Sequence, residues 1–180
     1  MKKYDCIFLD RDGTLNSDPG YISSIEDFSF FGFTILALQK MALDGNIFCI
    51  ITNQSGVGRG LIKKNKLEVI HSFIKAEFKR NKIPLLDIYV CFDHPDNSSD
   101  RRKPGISMFN EAKKDHGLNL SNCLMIGDSI IDIKSGKKIG MDTMLVLTGN
   151  GKTTRRLLTK ENFPKYVVND LKEGAEVLCL

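Results

Sequence analysis

The sequence predicts an α/β fold: a doubly wound, Rossmann-like parallel sheet with helices on both faces and no separate cap domain. Three observations predict it. Short apolar runs alternate with helix-period segments along the chain, the alternation expected of a parallel sheet covered on both sides. The runs CIFL, IFCII and CLMI are almost unbroken in apolar character, as strands buried on both faces must be. Polar clusters follow the strands, at the edge where open α/β sheets bind ligands.

The elements follow in order. Strands are expected at residues 4–9, 46–51, 86–91, 123–126, 143–147 and 166–168, each a short apolar or β-branched run. Helices are expected at 33–43, 63–81, 106–116, 130–139, 152–159 and 171–178. Gly45, Gly117 and Gly140 each follow a helix candidate, where a left-handed cap favours glycine. The segment 153–165 carries no motif that can be read. The 180 residues suit one domain, 1–180, with an ordinary hydrophobic core.

Composition narrows the class. Apolar residues make up 42% and charged residues 27%, and the net charge is only +4. That balance fits a soluble protein with solvated basic helix faces, not a nucleic-acid track. The five cysteines form no CxxC pair, so buried free thiols at Cys6, Cys49 and Cys123 are expected in place of a disulfide framework. With no leader segment and no apolar run of spanning length, a cytoplasmic protein without a membrane partner is the expectation, and a monomer.

After the first strand comes Asp10-Arg11-Asp12-Gly13-Thr14. After the second comes Thr52-Asn53-Gln54-Ser55-Gly56, and further on Arg102-Lys103-Pro104. After the fourth comes Gly127-Asp128-Ser129, with Asp132 beyond it. Carboxylates that end long apolar runs carry a solvation penalty unless something pairs with them. Residues two apart on a strand point to the same side, so Asp10 and Asp12 face one site, with Arg11 turned away. Asp128 then adds a third acid. Such crowding calls for a cation, and an oxygen-only donor set suits a hard ion such as magnesium beside a phosphate. The Thr52 hydroxyl and the backbone N–H groups of 53–56 suit a phosphate oxygen, and Lys103 offers a fixed positive charge against a transferring phosphoryl group.

Taken in order, DRDGT, apolar-TN, RKP and GDxxxD closely resemble the four motifs of the haloacid dehalogenase superfamily of phosphatases. DRDGTLNSDPGY and TNQSGVGRG further resemble its branch of histidinol phosphatases and heptose-bisphosphate phosphatases, the D,D-heptose 1,7-bisphosphate phosphatases above all. The likeness covers roughly residues 4–150. It implies that Asp10 is the nucleophile and a magnesium ligand, and that Asp12 is the general acid and base whose backbone carbonyl also meets the metal. It implies further that Thr52 and Lys103 hold the transferring group and that Asp128 completes the metal site. Asp18, Pro19, Gly20, Tyr21, Asn53, Gln54, Ser55 and Arg102 would contact the sugar or a second phosphate, as would Ser129. Two departures stand out. Relatives commonly carry a zinc loop before Arg-Lys-Pro; here only Cys91 and His94 remain, too few for a closed tetrahedral site, so no structural zinc is expected. Ser129 also stands where the heptose branch often has lysine.

These residues imply a magnesium-dependent phosphatase that passes through an aspartyl-phosphate. The gaps between motifs leave no room for a lid domain, so loops 16–26, 56–61 and 92–101 would wall the site. Arg59 and Arg102 are candidates to grip a second anionic group. The expected partner is a small phosphate ester, first a heptose 1,7-bisphosphate cleaved at C7, then histidinol phosphate. A signalling receiver domain also takes phosphate on aspartate, but on its third strand. A polynucleotide 3′-phosphatase would want a basic or aromatic groove, which a chain without Trp does not suggest.

Overall fold

A computed structural model describes residues 3–179. Six strands form one parallel sheet: β1 (Ile7–Leu9), β2 (Phe48–Asn53), β3 (Leu85–Cys91), β4 (Leu124–Gly127), β5 (Asp142–Val146) and β6 (Tyr166–Val168). Their order is β3-β2-β1-β4-β5-β6. The chain therefore moves outward in one direction from β1 to β3, then crosses back to β4 and moves out in the other. The crossover lies between β1 and β4, which pair in register from Ile7–Leu124 to Leu9–Ile126. That is where a doubly wound sheet opens its crevice.

The helices are α1 (Thr34–Leu43), α2 (Ser55–Gly58), α3 (Lys64–Arg80), α4 (Ser107–His116), α5 (Ile130–Ile139), α6 (Gly151–Arg156) and α7 (Leu171–Leu178). Alternation along the strands sends side chains to two cores. Ile7, Leu9, Phe48, Ile50, Leu124 and Ile126 meet α1, α3 and α7 on one face. Cys6, Phe8, Cys49, Ile51, Cys123 and Met125 meet α4 on the other. Cys6, Cys49, Cys91 and Cys123 are buried free thiols.

Two strand ends bear on the site. β1 ends its ladder at Leu9, where the sequence placed it, so Asp10 and Asp12 lie beyond the strand. β2 runs two residues further than expected because Thr52 and Asn53 still pair with Val90 and Cys91 of β3; Thr52 is thus held by a ladder, not by a loop. The single turn α2 went unforeseen because Ser55–Gly58 has two glycines and poor helix propensity. Its first residue, at the end of the longer β2, leaves no room for the turn that TNQSG suggests.

Between these elements the insertions are loops with one-turn 3₁₀ segments at Ile25–Asp27 and Pro95–Asn97. No cap domain covers the carboxyl edge of the sheet among the described residues.

Candidate active site

Asp10 leaves β1 with its N–H donated to the Ile126 carbonyl of β4 (2.9 Å). Asp128 follows β4, and Asp132 lies one turn into α5, so the crossover gathers three carboxylates. An oxygen from each of Asp10, Asp128 and Asp132 lies within 4.8 Å of the others. The third acid of the cluster is therefore Asp132, where Asp12 was expected. The signal was present in the sequence as GDxxxD, which sets Asp132 in the first turn of the helix that follows Asp128.

Lys103 reaches into this cluster from the segment before α4. Its Nζ lies 2.8 Å from Asp10 Oδ1, 2.6 Å from Asp132 Oδ1 and 2.8 Å from the Ile51 carbonyl. Asp132 Oδ2 takes the N–H of Ser129 (3.1 Å), and Asp128 Oδ2 takes that of Asn150 (2.7 Å). Gly13 and Gly149 crowd Asp128: a Cβ on either would stand 2.2 Å from Asp128 Oδ2. Gly13 also has φ +78°, a conformation that side chains rarely adopt.

Burial pushes Asp10 well above the usual carboxylate range, against the pull of Lys103, and the charges of Asp132 and Asp128 add to the rise. Burial, then Asp132, pushes Asp128 up to about 7. Burial alone would lower Lys103, but Asp10 and Asp132 outweigh it and hold the ammonium charged. Three carboxylates against one ammonium leave a formal excess of two negative charges, 3 − 1. A divalent cation with a preference for oxygen matches that excess and that donor set.

Asp12 lives differently. Sequence spacing predicted that it would sit beside Asp10 with Arg11 turned away. Asp10 and Asp12 do line one cleft, but Arg11 does not turn away, because the strand has ended: the chain folds into a tight turn in which Leu15 N–H donates to the Arg11 carbonyl (2.8 Å). Arg11, 1% exposed, folds over Asp12 and grips both carboxylate oxygens, Nε to Oδ1 (2.9 Å) and Nη2 to Oδ2 (2.7 Å). Asn16 donates to Oδ1 (3.0 Å) and Gln54 to Oδ2 (2.7 Å). Burial would raise Asp12, but the charge and hydrogen bonds of Arg11, with those of Asn16 and Gln54, hold it below the usual carboxylate range.

Two adjoining clefts run over these groups. One, of about 190 Å³, is lined by Asp10, Asp12, Thr52, Lys103, Asp128 and Ser129 among others, with Arg102 on its wall. The second, of about 210 Å³, is lined by Arg11, Asp12, Gly20, Tyr21, Gln54 and Ser55 among others. Asp12, Asp18 and Asn53 border both. Of the residues expected at the site, Pro19 and Arg59 line neither cleft; Arg59 ends α2, exposed to solvent.

Two amides expected to face substrate have protein partners. Asn53 accepts the Lys103 N–H (3.1 Å) and donates to the Lys103 carbonyl (3.1 Å), which pins the lysine's backbone to β2. Gln54 donates to Asp12 and to Thr52 Oγ1 (2.9 Å). Thr52 Oγ1 accepts in that contact, so the hydroxyl can still donate its own hydrogen. In the loop between β3 and Arg102, Asp93 accepts the N–H and hydroxyl of Ser99 (2.8 and 2.6 Å), and His94 accepts the Asp96 N–H (3.2 Å). Cys91 is buried at the end of β3. That strand is the sheet's edge, whereas the carboxylate of interest follows central β1, unlike the receiver arrangement.

Fold and site together are those of a phosphoryl-transfer hydrolase. A family model described as HAD-hydrolase-like matches residues 100–174. The chain is 32% identical over 156 residues to a D-glycero-alpha-D-manno-heptose-1,7-bisphosphate 7-phosphatase of Photorhabdus laumondii, covering 82% of this chain and 85% of that protein. It is 35% identical over 156 residues to a D-glycero-beta-D-manno-heptose-1,7-bisphosphate 7-phosphatase of Pasteurella multocida, covering 83% and 84%. Among solved structures, the D,D-heptose 1,7-bisphosphate phosphatase of B. bronchiseptica, complexed with magnesium and phosphate, superposes with a TM-score of 0.87 at 28% identity, over 96% of this chain and 97% of that one. The chain belongs to the haloacid dehalogenase-like phosphatases, in the branch of the heptose-1,7-bisphosphate 7-phosphatases.

Proposed function

We propose that this chain removes the 7-phosphate of D-glycero-D-manno-heptose 1,7-bisphosphate with the help of Mg²⁺, using Asp10 as nucleophile. The observation that carries this reading is the convergence of Asp10, Asp128, Asp132 and Lys103 at the β1–β4 crossover. Names of relatives and a magnesium-and-phosphate complex at 28% identity support the substrate and the ion.

Asp10, Asp128 and Asp132 would hold the ion. When bound, it supplies charge neutralisation between the Asp10 carboxylate and the phosphate oxygens. Lys103 holds Asp10 in place and adds a positive charge at the transferring group. The Thr52 hydroxyl donates to a phosphate oxygen. An Asp10 oxygen then attacks phosphorus in line, the P–O bond to C7 breaks, and the sugar oxygen leaves with a proton from Asp12. In the second half, Asp12 takes a proton from water, whose oxygen attacks the aspartyl-phosphate and releases phosphate and Asp10.

In the resting site Asp12 is held ionised. It must therefore gain its proton as substrate arrives, and the phosphate charges beside it favour that uptake. The second cleft, with Asp18, Tyr21 and Ser55, is then the place of the sugar. Arg102 lines the cleft over Asp10 and Arg59 does not, so Arg102 is the better candidate for an anion contact.

Phosphate release is to be measured with both anomers of the heptose bisphosphate, histidinol phosphate and a 3′-phosphorylated oligonucleotide, each with Mg²⁺ and with excess EDTA. The bisphosphates should rank first, and EDTA should silence them. Preference for histidinol phosphate or the oligonucleotide would end the substrate assignment.

A further inference from the structure

His71 has no part in the chemistry above, yet it is the one side chain outside the active-site loops that touches Arg11 through a polar atom among the described contacts. The two are sixty positions apart in sequence, and Arg11 Nη1 lies 3.3 Å from His71 Nε2. Along α3, Leu67, Ile70, Ile74 and Phe78 are buried, and His71 is set on the border of that stripe, one turn after Leu67. An apolar residue would be the ordinary choice there.

The chemistry of the contact fixes its direction. A guanidinium has five N–H donors and no acceptor. His71 Nε2 must therefore accept, with the ring neutral and its proton on Nδ1. Burial, and then the Arg11 charge, push the His71 ring down to about 4, which keeps it neutral near pH 7. Arg11 already spends Nε and Nη2 on Asp12. With Nη1 tied to His71, the plane of the guanidinium is fixed at both ends, and helix α3 becomes its anchor.

We infer that His71 is a positioning residue for acid–base catalysis: by accepting from Arg11 it orients the guanidinium fork that holds the Asp12 carboxylate toward the leaving oxygen. This rests on the assignment of Asp12 as the proton donor. The inference differs from mere core packing in one respect. Protonation by Asp12 matters for an alkoxide leaving group and little for a nitrophenolate, which departs without a proton. Damage transmitted through Asp12 is therefore selective for the leaving group, whereas a loosened fold is not.

The experiment compares kcat/KM, which reads the steps up to expulsion of the alcohol, for heptose 1,7-bisphosphate and for 4-nitrophenyl phosphate. The variants are Asp12→Asn, His71→Leu and His71→Gln, the last offering an amide oxygen as acceptor. His71→Leu should lower the sugar ester about tenfold and the aryl ester by less than about threefold, and His71→Gln should recover most of the loss. Equal losses on both esters, or no recovery with Gln, would overturn the inference. If Asp12→Asn itself shows no selectivity, the proton-donor assignment fails; if it does and His71→Leu does not, His71 alone is misassigned. Should His71→Leu not fold, ¹⁵N NMR of the wild-type imidazole decides. Nε2 must appear as an unprotonated acceptor at neutral pH, and a proton on Nε2 would end the proposal.

Discussion

Around Asp10, three carboxylates share one buried lysine; around Asp12, one carboxylate takes four hydrogen bonds from three side chains. The two aspartates are two positions apart, and burial penalises the charge of both. Their carboxyl groups nonetheless move in opposite directions, Asp10 upward and Asp12 downward. The difference lies in what surrounds them. The Asp10 side is short of positive charge, which is where the proposed cation would sit. The Asp12 side is balanced within the chain by Arg11.

The largest effects test the unbalanced side. Asp10→Asn removes the nucleophile and should lower turnover at least about a thousandfold, while circular dichroism stays native. More than a small residual rate would show that another group attacks phosphorus. Excess EDTA should lower activity comparably. Because Mg²⁺ binds the folded state and not the unfolded one, saturating ion should also raise stability, by about 2–3 kcal/mol at a hundredfold excess over its Kd. A melting temperature indifferent to Mg²⁺ would erase the distinction between the two sides.

Substitution of aspartate by asparagine on each side should change stability with opposite sign. In EDTA at pH 8, Asp128→Asn relieves a crowded buried charge while keeping an oxygen for the Asn150 N–H, and should stabilise the protein by about 1–3 kcal/mol. Asp12→Asn leaves the buried Arg11 without its carboxylate and should destabilise it by about 3–5 kcal/mol. Urea denaturation measures both. Two changes of the same sign would mean that the compensation around Asp12 has been misread.

The sequence shows the first side better than the second, for a physical reason. Apolar runs that end in polar clusters mark the strands and the crossover, and with them Asp10, Asp128 and Thr52. Lys103 is legible only through its motif. The Asp12 side depends on where β1 stops. The alternation rule placed Arg11 in the wrong direction because it assumed a strand for two residues after the ladder had ended. Gln54 and Asn53 line the clefts, but their protein partners Asp12, Thr52 and Lys103 could not be read from the sequence, because amides in a polar turn leave their partners unspecified. His71 left a faint signal, a histidine on the border of an apolar helical stripe, but nothing in a linear pattern names a partner sixty residues away.

The pH dependence of stability gives the finest test of the contrast, because its effect is spread over several pH units. His71 is held at about 4, below the ordinary 6.5, so the unfolded chain binds its proton more readily than the folded one. The contribution is present in full above pH 6.5 and is lost as the pH falls toward 4. Its full size is of the order of 2–3 kcal/mol. Arg11 and Lys75 work against protonation of the ring and Asp12 favours it. Asp128, raised to about 7, has the reverse sign: the folded metal-free protein keeps its proton longer, and stability is lost as the pH rises toward 7. Urea stability in EDTA from pH 4 to 8, taken as wild type minus His71→Gln and wild type minus Asp128→Asn, isolates each group, since the remaining titrations cancel to first order. The first difference should climb with pH and the second should fall. Parallel curves would mean that the His71 ring is not held neutral by burial beside Arg11, and the balanced side of the cleft would lose its anchor in α3.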